Sequence, residues 1–214
     1  MSGSITDVEF VMRNLAENIV ANETYFGELD AVVGDGDFGY SLARGFEIVL
    51  AQWDTFDRSD PGVFLTKIAA ATSARIGGTS GPIWGTAMLR AGVQLKEHPA
   101  IEAADVVRAL RAAIDGIKAR GQADLGDKTL LDALVPATDT LESEAAAGRS
   151  PAEIVAAMAR TARESAEATK GMQAMRGRAS YTGERSIGSV DAGAMAIAVL
   201  LEALAEAWAA RDGG

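Results

Sequence analysis

No cysteine occurs among the 214 residues. Disulfides, thiolate nucleophiles and cysteine-ligated zinc are therefore excluded. Histidine occurs once, at His98, in a Lys96-Glu97-His98-Pro99 turn that reads as a surface position. Aromatic residues amount to only 6%, and runs rich in Val, Ile and Thr are few, so strands are hard to find. Basic charge is also in short supply, with 20 Lys and Arg against 30 Asp and Glu and a net charge of −10. That balance argues against nucleic acid, itself a polyanion, as a partner. The first residues, MSGSITDVEF, carry neither the basic flank nor the apolar run of a signal peptide. No run reads as long and apolar enough to cross a bilayer, so a cytoplasmic protein with no membrane partner is expected.

What remains is an alanine-rich chain that is 48% hydrophobic, as expected of a globular protein. Its length suits one domain over residues 1–214. Alanine favours helix, and the apolar spacing agrees. Val8, Val11, Met12, Leu15 and Ile19 mark one face of a helix over 5–22. Further helices are predicted over 39–53, 61–76, 82–96, 101–119, 129–147 and 151–170, with a last one from Asp191 onward. Asp60-Pro61 and the capping box Ser150-Pro151-Ala152-Glu153 are start signals, and Asp191 can cap the last helix. Eight helices with mostly short links predict an all-α bundle or closed barrel of antiparallel up-and-down helices. Trp53, Trp84 and Trp208 read as packing residues.

The chemistry concentrates in residues 29–44, LDAVVGDGDFGYSLAR. Asp30, Asp35 and Asp37 lie within eight residues, interleaved with Gly34, Gly36 and Gly39. Carboxylates this close repel unless a cation joins them or one protonates. Glycine permits the tight turn that lets them converge, and hard oxygen ligands suit Mg²⁺. The following helix would offer its free N–H groups to an anion. Ordinary turn and capping chemistry is the alternative. The stretch lacks the distal Glu of an EF-hand and the Gly-Lys-Ser/Thr of a P-loop.

Three other connections are rich in glycine and polar residues and precede helices: 77–80, 121–129 and 177–193. In an antiparallel array the loops before helices two, four, six and eight fall at one end, so all four would share one rim. Gly77-Gly78-Thr79-Ser80-Gly81 can cradle phosphate or simply turn between helices. Gly126-Asp127-Lys128-Thr129 supplies an acid, a base and a hydroxyl, or a capped helix start. Arg176, Arg178 and Arg185 suit phosphate, or form a solvated charge cluster.

Together these stretches resemble the ADP-binding L subunit of dihydroxyacetone kinase. The matching pieces are Leu29-Asp30 with Gly34-Asp35-Gly36-Asp37, residues 77–82, residues 126–134 with Pro136, residues 177–181 with 183–188, and Asp191-Ala192-Gly193-Ala194. The resemblance covers nearly the whole chain and implies an eight-helix barrel with nucleotide across one rim. It implies that Asp30, Asp35 and Asp37 hold two Mg²⁺ ions bridging the phosphates of ADP or ATP. It places Phe38, Gly39, Tyr40, Ser41, Gly78, Thr79 and Ser80 along the nucleotide, with Ser41, Thr79 and Ser80 on phosphate. Gly121, Leu130, Arg178, Asp191, Ala192 and Gly193 would line the rest, and Arg178 would add positive potential for phosphoryl transfer.

The family commonly has histidine directly after the second Gly-Asp, where this chain has Phe38. Phenylalanine can neither donate to phosphate nor carry a proton. The departure leaves the metal ligands intact and bears on the handling of the terminal phosphate and on substrate. Tyr40 also stands where smaller residues are common, which narrows the site. The implied activity is kinase transfer to dihydroxyacetone or a slightly longer ketose held by a separate K subunit. The donor is ATP, or a phosphotransferase-system protein that rephosphorylates bound ADP. The alternatives are a non-catalytic ADP-binding adaptor and the nucleotide module of a fatty-acid-kinase-like enzyme.

Overall fold

The structure is a computed structural model, and it describes residues 3–78, 80–98 and 100–212. Among them it has nine α-helices and no strand; a single antiparallel bridge joins Gly3 to Ile101. The all-α expectation holds, but the expected count of eight does not. The additional helix lies at Glu23–Ala31, where the sequence suggested the start of a loop.

The chain forms two compact units. The first comprises Met1–Ala21 and Tyr40–Gln122. It holds α1 (Ile5–Ala21), most of α3 (Phe38–Ala51), α4 (Pro61–Ser73), α5 (Ser80–Leu95) and α6 (Ala103–Gly121); α2 (Glu23–Ala31) belongs to the second unit. Helix α5 packs against both α4 and α6. As predicted, Asp60 caps α4: its carboxylate accepts from Val63 N at 2.9 Å, and Pro61 takes the first helical position. Helix α5 begins two residues before Pro82. Glu102 and Asp105 form a capping box for α6, which ends where Gln122 turns left-handed at φ 48°. Trp53 and Phe56 meet Phe64 edge-on at 5.5 and 6.2 Å, and Trp84 meets Phe46 at 6.3 Å, so these two tryptophans do serve packing. His98 lies part-exposed beside Asp105, at 3.5 Å.

The second unit comprises Asn22–Gly39 and Ala123–Gly214. It holds α2, α7 (Leu131–Ala146), α8 (Pro151–Ala168) and α9 (Ala192–Asp212). Helix α8 packs against α7 and α9, and α9 also meets α7 and α2. Buried alanines dominate these faces, among them Ala133, Ala137, Ala162, Ala166, Ala194 and Ala198. Small side chains let helix axes approach closely. The predicted Ser150–Glu153 capping box starts α8.

The expectation that no run could span a bilayer needs correction. Residues Ala192–Arg211 are long and apolar enough by length and composition, with a mean hydropathy of 1.6. In the structure this run is α9, which packs on three helices of its own unit.

Candidate metal centre

Asp30, Asp35 and Asp37 converge in the second unit, each presenting a carboxylate oxygen within 4.8 Å of the others. They do not all lie on a loop: Asp30 is in the last turn of α2. Its carbonyl accepts from Gly34 N at 2.6 Å, closing that helix. Gly36 then turns at φ 76°, a conformation that glycine adopts without strain. Gly34 is required for space: a Cβ there would lie 2.3 Å from Asp30 Oδ1. Phe38 N–H points back at Asp30 Oδ2 at 3.4 Å.

Burial raises the Asp30 carboxyl above its ordinary range, opposed by the Phe38 N–H and reinforced by the charges of Asp35 and then Asp37. A divalent cation would reverse that cost, since its charge favours the carboxylate form. The donor set is hard oxygen, partly exposed, so water can complete a shell around Mg²⁺. The residues present therefore fit the ion. A resident cation already faces them: the Arg178 guanidinium pairs with Asp35 and lies 3.8 Å from Asp37 Oδ2.

Arg178 comes from a short 3-10 stretch, Arg178–Ser186, inside what the sequence presented as a long loop. The other two loop arginines behave differently. Arg176 pairs with Asp127 at 3.0 Å, and Arg185 is exposed, with its Nε near Thr182 O at 3.4 Å. Asp127 also accepts from Asp124 N at 2.9 Å, so the turn reading accounts for its position. Asp132, not singled out from sequence, is buried and accepts from Gly126 N at 2.6 Å and Thr129 N at 2.7 Å.

Asp191 caps α9, accepting from Ala194 N at 2.7 Å. Burial pushes its carboxyl up to about 7; the nearby Asp132 adds to this, while the Ala194 N–H and Lys128 oppose it. Leu130 and Gly193 are brought together, so that a Cβ on Gly193 would lie 3.2 Å from Leu130 Cβ. Ala192 begins α9 beside them.

Among the remaining predicted residues, Gly39 is buried near the start of α3. In the first unit, Tyr40, Ser41 and Gly77 line a cavity of about 430 Å³ with Arg44 and Arg75. These two arginines were not foreseen. Gly78 turns at φ 62°, Ser80 opens α5 and Gly121 closes α6. Thr79 lies outside the described residues.

The helical fold and the carboxylate cluster define an all-α protein with a candidate divalent-cation centre. The chain belongs to the DAK2 domain family, whose match covers residues 32–206. It is 32% identical over 205 residues to the PEP-dependent dihydroxyacetone kinase, ADP-binding subunit DhaL, of Escherichia coli, covering 96% of this chain and 98% of that one. It is 39% identical over 208 residues to the L-erythrulose 1-kinase of Mycolicibacterium smegmatis, covering 91% of this chain but only 36% of that protein. Among solved structures, the dihydroxyacetone kinase from C. freundii in complex with AMP-PNP and Mg²⁺ superimposes with a TM-score of 0.77 at 26% identity. That match covers 97% of this chain and 35% of the kinase chain. The chain thus spans about a third of the two longer kinases and nearly all of the E. coli subunit.

Proposed function

We propose that this chain is the nucleotide-binding phosphotransferase subunit of a dihydroxyacetone kinase-type enzyme, acting as a single domain. The observation that carries this reading is the convergence of Asp30, Asp35 and Asp37. It gains weight from near full-length similarity to an ADP-binding subunit and from a structural neighbour solved with AMP-PNP and Mg²⁺. The three carboxylates would hold two Mg²⁺ ions, which when bound neutralise phosphate charge. Ser41, Thr79 and Ser80 would hold phosphate oxygens. Leu130, Gly121 and the Asp191–Gly193 turn would seat the rest of the nucleotide. Arg178 would leave the carboxylates for the phosphates and stabilise charge during transfer.

Such chemistry is positioning and electrostatics, so no nucleophile is required on this chain. The acceptor hydroxyketone would be held by a K-type partner in the cytoplasm. Similarity to an erythrulose kinase extends the candidates from dihydroxyacetone to four-carbon ketoses. The donor is ATP or a phosphotransferase-system phosphoprotein.

One observation favours a second reading, a non-catalytic ADP-binding adaptor. The Phe38 ring packs 6.2 Å from Phe26, where the family commonly has a proton-carrying histidine. A coupled assay with ATP, a purified K-type partner and a panel of small ketoses separates the two. Turnover that Asp35→Ala abolishes supports the kinase. ADP binding with no turnover for any ketose or donor supports the adaptor. Release of ADP with ATP as sole donor identifies the exchanging mode.

A further inference from the structure

Lys128 is the most enclosed charged side chain of the second unit's loops, at 2% exposure. Its backbone sits at φ 60°, a strained angle for a side chain of this size. Its ammonium has three N–H groups, and each finds a carbonyl. Nζ donates to Met172 O at 3.1 Å, to Ser189 O at 2.7 Å and to Ser186 O. These acceptors flank the segment that carries Arg178. Met172 precedes it, while Ser186 and Ser189 close it.

Neighbouring contacts tighten the same ring. Met175 N donates to Asp127 O at 3.0 Å, and Ala174 N donates to Ser186 Oγ at 2.8 Å. Arg176 is held by Asp127 at 3.0 Å. Arg178 is the next charged residue along the segment, and it reaches out to Asp35 and Asp37. A buried ammonium is costly unless fully hydrogen-bonded, and a lysine used only for solubility would not be enclosed here.

We propose that Lys128 is a positioning residue: by drawing Met172, Ser186 and Ser189 around one ammonium, it closes the loop that holds Arg178 over the Asp35–Asp37 carboxylates. Lys128 thereby sets how strongly Arg178 competes with a metal ion when nucleotide is absent, and how well it meets phosphate when nucleotide is present. This rests on the nucleotide-kinase reading above. It predicts effects of opposite sign on two ligands of one site, which general damage to the unit does not produce.

The test uses Lys128→Met, Arg178→Gln and the double variant in the full chain, with Mn²⁺ as the spectroscopic probe ion. An exposed ion pair is worth only a fraction of a kcal/mol to about 1, so freeing the carboxylates tightens Mn²⁺ binding without nucleotide roughly two- to five-fold. Affinity for ADP with Mg²⁺ falls about ten-fold, since a charged hydrogen bond to phosphate is weakened. Adding Lys128→Met to Arg178→Gln changes neither value further, because both act through one guanidinium. Weakened binding of both ligands, or additive effects in the double variant, overturns the proposal.

Should Lys128→Met fail to fold, Lys128→Gln carries the same titrations. Hydrogen exchange over residues 172–189 gives a readout independent of any ligand. The variant is expected to exchange faster there and not in α8, and unchanged exchange overturns the proposal. If the wild-type chain binds neither Mn²⁺ nor ADP, the functional reading fails, and the exchange result alone decides whether Lys128 holds the loop.

Discussion

At position 34 a missing methyl group leaves the room that Asp30 occupies. A Cβ there would lie 2.3 Å from Asp30 Oδ1 and 2.8 Å from Asp30 O, so either the carboxylate or the turn must move. Gly34→Ala is expected to leave helicity intact and to weaken Mn²⁺ binding by about ten-fold or more, the usual effect of disturbing a group that orients a ligand. Paramagnetic titration checks this, and unchanged affinity would remove Asp30 from the ligand set. Asp191 offers a second test at this scale. Its carboxyl is pushed by burial from 3.8 to about 7. Between those values the folded chain holds a proton that the unfolded chain has released, so stability falls as pH rises through the window. Residual exposure of the residue lets solvent screen the charge, which makes the slope shallow. Thermal midpoints without ligand should fall from pH 5 to pH 8 in the wild type relative to Asp191→Asn. A pH-independent difference would mean that the carboxyl is not enclosed. The cluster of Asp30, Asp35 and Asp37 was legible in the sequence because the three sit within eight residues. The Lys128 contacts were not, since their acceptors lie 44 to 61 residues away and no local pattern announces them.

The marked starts at Asp60 and Ser150 were read correctly, while the unmarked start of α2 was missed. Asp60 and Ser150 each place an oxygen on an orphan N–H and are followed by proline, so α4 and α8 could be placed from sequence. Helix α2 has no such signal. Asn22 makes no side-chain cap, and the helix follows α1 after a single residue. With only nine residues and one buried side chain, Phe26, it shows little periodicity. Its last turn nevertheless carries Asp30, so the candidate metal centre depends on an element that pattern alone did not reveal. The legible caps give a direct stability test. Ser150 accepts from Glu153 N while Glu153 reaches back to Ser150 N at 2.9 Å. Ser150→Ala should lower the stability of the transition that contains α8 by about 1 kcal/mol, measured by urea unfolding. No change would mean that solvent replaces the cap without cost.

At the scale of the whole molecule, two kinds of relative bracket this chain. One is a subunit of nearly the same length, and the other kind is about three times longer. Composition gave the acidic balance and the absence of cysteine, and apolar spacing gave the all-α class. Division of labour follows if the kinase reading is right: this chain holds the phosphoryl donor, and a separate protein presents the acceptor. Purified alone, the chain should bind ADP with Mg²⁺ yet phosphorylate no ketose. Turnover should appear on adding a K-type partner and should saturate as that partner is titrated. The acidic surface gives this assembly a further signature. A partner that meets a chain of net charge −10 gains from complementary charge, and that gain is screened by salt. The partner concentration at half-saturation should therefore rise with ionic strength while maximal turnover stays nearly constant. Ketose phosphorylation by the chain alone would contradict the division of labour, and a salt-independent half-saturation would mean that the two proteins meet through apolar surface.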